Sequence, residues 1–232
     1  MQSVFVHLCA LLFLPVFSPH IEMPFVIACD IDEVLFPYLA GYCKYYNRLH
    51  KTNWDSSHFH SYNFSKVHGG TESQIADLVY AFHNEPEFFE IEPIAGSVDA
   101  IGQLAKLGEI HFVTSRQAAI SKETCRWIKD HFGYEPERVH IGNHWIRKTD
   151  LVQTKKTKLE MCQTILANVL IDDSAEYAIE CAPTMHVILF DLHAEYGWNK
   201  HLTDPHPNIN RVHSWPEAIA HIKRIKQLTS IN

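Results

Sequence analysis

The chain predicts an α/β fold, a Rossmann-like parallel sheet with helices on both faces, and three observations predict it. From residue 93 onward, short apolar runs of strand length alternate with helical segments. The earliest run, in FVIACD (Phe25–Asp30), shows no polar alternation, the mark of a strand covered on both faces. Acidic or hydroxyl residues directly follow three of the runs, at the strand ends where open parallel sheets bind ligands.

Taken in order, the first strand is followed by a polar and aromatic stretch from Tyr38 to about Glu92, with helical segments near 38–50 and 72–83. That stretch is too long for a plain crossover and predicts a small helical cap inserted after the first strand. Ser97 is placed to cap a helix carrying Val98, Ile101 and Leu104 that ends near Gly108. Ile110–Val113 reads as a strand, then Ser121 caps a helix with Ile128 and Phe132 on one side, stopped by Gly133. Val139–Ile141 reads as a short strand, and a helix with Leu159, Cys162 and Leu166 leads to the strand Val169–Ile171. A helix over 174–182 precedes the strand His186–Phe190, and Ser214 with Glu217 forms a capping-box signature before Ile219, Ile222 and Ile225. The expected organisation is an extension at 1–22, a core domain from 23–37 and 93–232, and the cap at 38–92.

With 46% apolar residues among 232, the chain can bury a sizeable core and is not a disordered segment. A net charge of −7, and no basic run longer than Lys155-Lys156, argue against a nucleic-acid partner. Six cysteines without a CxxC pair suit reduced thiols rather than disulfides or a zinc site. The segment Val4–Phe17 has the apolar character of a signal peptide but no preceding Lys or Arg, and it is short for a membrane span. The preferred expectation is therefore a cytoplasmic protein with no membrane partner. Secretion is the alternative, and Asn63 in Asn63-Phe-Ser65 would then be a glycosylation acceptor.

The chemistry starts at Asp30 and Asp32. Alternate residues of an extended chain point the same way, so both carboxylates can face one crevice. One can serve as nucleophile and the other as general acid and base, an arrangement suited to phosphoryl transfer through an aspartyl-phosphate. A lone D-x-D is weak evidence and, taken alone, favours a turn cap. Thr114 and Ser115, ending IHFVTSR, can bind a phosphate oxygen or cap a helix. Asp172 and Asp173 directly follow the apolar run VLI, although one could cap the next helix. Lys155, Lys156 and Lys158 lie upstream, and a surface lysine is usually solvated. Two close carboxylates repel, so such a site needs positive charge. Mg²⁺ can supply it, with Asp30 and Asp172 as carboxylate ligands and the backbone carbonyl of Asp32 as a third. Phe36 and Tyr38, just past the acidic pair, are the aromatics expected to face a ligand, while most other cap aromatics are expected to pack. Histidines 58, 60 and 68 lack metal-site spacing and read as a solvated loop.

The order D-x-D-x-V, hhhVTS, Lys, hhIDD resembles the haloacid dehalogenase superfamily of phosphatases. The stretches DIDEVL, NEPEFFEIEPIAGSVDAI, IHFVTSR, CRWIKDHFG and VLIDDSAEYAIECA resemble its 5′(3′)-deoxyribonucleotidase type, over roughly residues 24–200. The resemblance implies that Asp30 is the nucleophile and Asp32 the acid/base. It implies that Thr114 binds phosphate with Ser115 beside it, that Asp172 ligates magnesium, and that Asp173 supports it. The site lysine is assigned to Lys158, since KLEMC enters the helix before IDD as in related sequences, with Lys156 second. One departure stands out: members usually carry Gly after the second Asp, and here it is Glu33, whose side chain could crowd the entrance or alter substrate choice.

The expected function is a magnesium-dependent phosphomonoesterase acting on nucleoside 5′-monophosphates or, alternatively, on another small phosphorylated metabolite such as a sugar phosphate. A non-catalytic binding protein on the same scaffold is the third reading. A homodimer is compatible with the sequence.

Overall fold

The computed structural model describes residues 24–143, 154–202 and 206–229. The extension expected at 1–22, Cys9 included, lies outside these residues. Six strands, β1 Val26–Cys29, β2 Glu109–Thr114, β3 Val139–Ile141, β4 Val169–Asp172, β5 His186–Phe190 and β6 Ile209–Val212, form a parallel sheet in the order β3-β2-β1-β4-β5-β6. The helices are α1 Tyr38–His50, α2 Phe64–His68, α3 Glu72–Phe82, α4 Pro86–Phe89, α5 Ser97–Leu104, α6 Ser121–Phe132, α7 Lys158–Thr164, α8 Ala175–Cys181 and α9 Trp215–Thr229.

The strands β1, β4 and β5 are mostly apolar because both faces of the sheet are covered there. Side chains alternate between the faces. Ile27, Cys29, Phe112, Ile171 and Phe190 meet Ile101 of α5, Ile128 of α6 and Ile222 of α9 in one apolar cluster. Their neighbours Ala28, Val113, Leu170, Val187 and Leu189 meet Met161 and Cys162 of α7 and Ala178 and Cys181 of α8 in another. Each fully buried branched or aromatic side chain contributes roughly 1.5–3 kcal/mol by leaving water. Gly133 stops α6 as the sequence predicts, in the left-handed conformation at φ +76°. Gly108 is required by a close approach, since a Cβ there would sit 2.0 Å from the Phe25 carbonyl oxygen.

Helices α1 to α4 lie between β1 and β2, with α1 packed on α3 and α4 and α2 packed on α3. Tyr42 is their centre, with the rings of Tyr45, Tyr46, Phe59, Phe64 and Phe82 within 6.4 Å of its own. This cluster runs through Phe36 and Phe88 into the apolar face of the sheet without a break. Most of the aromatics therefore pack, as expected, although Phe89 is exposed.

Several local expectations are corrected. Ser97 is not a cap: the chain enters α5 through Gly96 at φ +80°, and the Ser97 hydroxyl is buried inside the first turn. Ser121 is already helical, because a 3-10 turn over Ala118–Ile120 runs straight into α6. Leu166 lies past the end of α7, at φ +55° and exposed. His68 is not solvated: both ring nitrogens are buried without partners, and the ring stacks 4.3 Å from Tyr46. Strand β6 and the short helices α2 and α4 were not anticipated, because each is too brief to show a period. Among the described residues no helix is long and apolar enough to cross a membrane, and the five described cysteines are free.

His83, just past α3, is buried and bonded to the Tyr38 hydroxyl at 3.1 Å. Burial first, then the nearby Arg116 cation, pushes its pKa down to about 3. The imidazole is thus neutral in the fold, whereas the unfolded chain takes up a proton near pH 6.5. Its contribution is complete above about pH 6.5 and is lost as pH falls toward the folded value. Replacing it by His83→Asn is expected to flatten the acid side of the stability curve by about 1.4 kcal/mol per pH unit between pH 6.5 and 4.5. Urea midpoints of the two proteins across that range check this, and parallel curves would contradict it.

Candidate active site

Strands β2, β1 and β4 are neighbours, so their carboxyl ends open on one crevice. The Asp30 N–H donates to the Ile171 carbonyl at 2.8 Å, fixing the first residue past β1 against β4. Asp172 ends β4, Thr114 ends β2, and both are fully buried. Lys158 comes from the first turn of α7, where Thr157 and Glu160 cap the helix reciprocally. Its ammonium, also fully buried, lies 2.8 Å from Asp30 Oδ1 and 3.0 Å from Asp172 Oδ2, and donates to the Val113 carbonyl at 3.1 Å. Lys155 and Lys156 are exposed.

Asp30, Asp172 and Asp173 each offer a carboxylate oxygen within 4.8 Å of the others. Burial pushes Asp30 up to about 7, against the opposing pull of Lys158. Burial likewise raises Asp172 and raises Asp173 strongly. Three buried carboxyls facing one lysine leave the cluster short of positive charge. A hard, oxygen-preferring dication fits this donor set.

The Asp32 carboxylate stands apart from the three. Arg116 grips it through Nη2 at 2.7 Å and through Nε at 3.1 Å to both oxygens. The guanidinium lies 4.2 Å over the Phe36 ring, bonds Thr124 through Nη1 at 3.1 Å, and is 4% exposed. Phe36, expected to face a ligand, is 1% exposed and lies under this cation. Tyr38 is half-buried, its hydroxyl on His83. Thr114 Oγ1 accepts from the Arg116 N–H at 3.1 Å, and the Ser115 hydroxyl donates to that of Tyr177 at 2.9 Å.

Glu33 does not crowd an entrance. It sits at φ +57°, a conformation that costs a side-chain-bearing residue about 1–2 kcal/mol. Its carboxyl turns inward and accepts from the Leu39 N–H at 2.6 Å, and burial pushes it up to about 8.

Sequence reading missed Arg116, although it directly follows the quoted VTS. It also missed Tyr62, whose hydroxyl donates to Asp173 from 111 residues away. Separation of that kind leaves no local signal. Trp198 Nε1 and Asn199 Nδ2 donate to the Asp173 carbonyl at 3.0 and 2.7 Å from the segment after β5.

The fold is that of the haloacid dehalogenase-like hydrolases. Similar solved structures include a haloacid dehalogenase-like hydrolase from Streptococcus pneumoniae, 13% identical over 85% of this chain and 97% of that one, with a TM-score of 0.60. A predicted phosphatase from Clostridium acetobutylicum is 16% identical over 88% and 100%, with a TM-score of 0.61. A hydrolase of the same superfamily from Bacillus subtilis, bound to magnesium, is 10% identical over 87% and 99%, with a TM-score of 0.53. At such identities the likeness shows the shared fold. The family model described as 5′ nucleotidase, deoxy (pyrimidine), cytosolic type C protein matches residues 24–228, and the chain belongs to this family. It is an enzyme of the phosphatase type. No curated protein matches the sequence.

Lys158→Met would leave two buried carboxyls without their cation, a loss of about 3–5 kcal/mol for a broken buried pair. Urea unfolding in the absence of divalent cations is expected to show that loss. A change under about 1 kcal/mol would mean that Lys158 does not hold the cluster together.

Proposed function

We propose that this phosphatase hydrolyses nucleoside 5′-monophosphates with magnesium, through an aspartyl-phosphate on Asp30. The observation that carries the reading is Asp30 paired at 2.8 Å with a fully buried Lys158, beside Thr114 and Asp172 at adjacent strand ends. The nucleotide preference rests on the family, and a sugar phosphate is the competing substrate.

An Asp30 carboxylate oxygen attacks phosphorus, and the bond from phosphorus to the ester oxygen breaks. Asp32 gives its proton to the departing oxygen. It then takes a proton from water, whose oxygen displaces Asp30 and releases phosphate. Thr114, Ser115 and Lys158 hold the equatorial oxygens, where most of the stabilisation arises. Asp30, Asp172 and the Asp32 carbonyl would hold magnesium, with Asp173 in support, and the ion would offset the charge of the phosphoryl group. Arg116 orients Asp32. Asp30 is 6% exposed, so admitting an ester requires the chain over it to move, and Tyr38 is the aromatic proposed to meet the substrate. A cytoplasmic location is supported by the family's cytosolic type and by the free cysteines.

A phosphate-release screen over nucleoside monophosphates and sugar phosphates, with and without magnesium, tests the reading. Activity is expected with magnesium and highest on a nucleotide. Asp30→Asn is expected to abolish turnover in a folded protein, and Asp32→Asn to lower kcat about 10²–10⁴-fold. Turnover surviving in Asp30→Asn would exclude the covalent route, and a sugar phosphate as best substrate would replace the nucleotide.

A further inference from the structure

We infer that Glu33 is a positioning residue that ties the first helix of segment 38–92 to the loop carrying Asp32. Its effect on turnover rests on the phosphatase mechanism proposed above, and the tie itself rests on geometry.

Every polar group of Glu33 is engaged. Its N–H donates to the Phe36 carbonyl at 2.8 Å, which closes the loop on itself. Its carbonyl accepts from the Tyr196 hydroxyl at 2.6 Å. Its carboxyl accepts from the Leu39 N–H at 2.6 Å, in the first turn of α1. That turn has no other side-chain cap: Pro37 provides none, and no acidic residue stands in the turn. Three separate parts of the chain therefore meet at one residue. Tyr196 reaches further, because its ring stacks on Trp198 at 4.6 Å, and the Trp198 indole donates to the Asp173 carbonyl.

The backbone adds an independent argument. At φ +57° a glycine would be unstrained, yet the position carries glutamate. Such a conformation persists where its surroundings over-determine it. Here the surroundings use the side chain that glycine lacks. A shift of α1 passes through the Leu39–Glu33 hydrogen bond to the peptide joining residues 32 and 33, and so to Asp32. Seating the helix and placing the acid/base are then one event.

The test compares wild type with Glu33→Gly, Glu33→Met and Glu33→Gln. Glycine relieves the backbone, methionine keeps side-chain size without the acceptor, and glutamine keeps an acceptor oxygen. Turnover of p-nitrophenyl phosphate with magnesium gives kcat and KM, and amide exchange over residues 30–39 reads the loop directly. Gly and Met are expected to lower kcat about 10- to 100-fold, with KM within about twofold, and to speed exchange. Gln is expected to restore most of both. A Glu33 that is only a strained residue gives the opposite order, with Gly at or above wild-type kcat. That outcome, or Gln no better than Met, overturns the inference. Wild type inactive on every phosphomonoester would remove the phosphatase mechanism instead. Exchange would then decide the tie alone, and equal exchange in wild type and Glu33→Met would overturn it.

Discussion

The buried ammonium of Lys158, held between Asp30 and Asp172, sets the geometry of the crevice. At separations of 2.8 and 3.0 Å each attraction is about 6 kcal/mol with an effective dielectric constant near 20. Each buried ion loses several kcal/mol of hydration in return. One lysine is shared by two carboxylates and makes no ion pair with Asp173 among the described residues. Burial raises the pKa of all three acids, and Lys158 opposes it at Asp30 and Asp172. A cluster so arranged is a poor stabiliser of the fold and a good receptor for further positive charge.

Topology explains why these groups meet. The strand order reverses direction at β1, with β2 on one side and β4 on the other. Chain ends at such a point diverge and leave a crevice. Asp30, Thr114 and Asp172 are distant in sequence but occupy adjacent strand ends, and α7 delivers Lys158 by starting its first turn beside them. The rigidity of the sheet, built from strands covered on both faces, holds the carboxyls where their mutual repulsion would otherwise spread them.

The segment between β1 and β2 is not a loosely attached lid with its own core. Phe36 and Phe88 carry one apolar cluster from the sheet into the helices around Tyr42. Polar contacts follow the same path: Tyr62 reaches Asp173, and Glu33 reaches α1. Arg116 closes the set by holding Asp32 from the sheet side while stacking on Phe36. Asp32 is thus braced from both directions, one of them through the helical segment.

Much of the fold was legible because it is written locally. The apolar runs that became β1, β4 and β5, the bounds of α1, and the stop at Gly133 follow from period, run length and left-handed glycine. The ordered acidic and hydroxyl residues at strand ends pointed to one crevice. Other features were not local. Neither Ser97 nor Ser121 caps its helix, because the backbone conformation of the preceding residue decides that, and His68 is buried because distant rings surround it. Three lysines within four residues look alike in sequence, and only the packing of α7 against the sheet buries one of them between two carboxyls. The residues by themselves determined a parallel α/β enzyme scaffold with its acids at the strand ends. Which groups compensate those acids, and which way Glu33 turns, was decided by tertiary structure, since both depend on partners many residues apart.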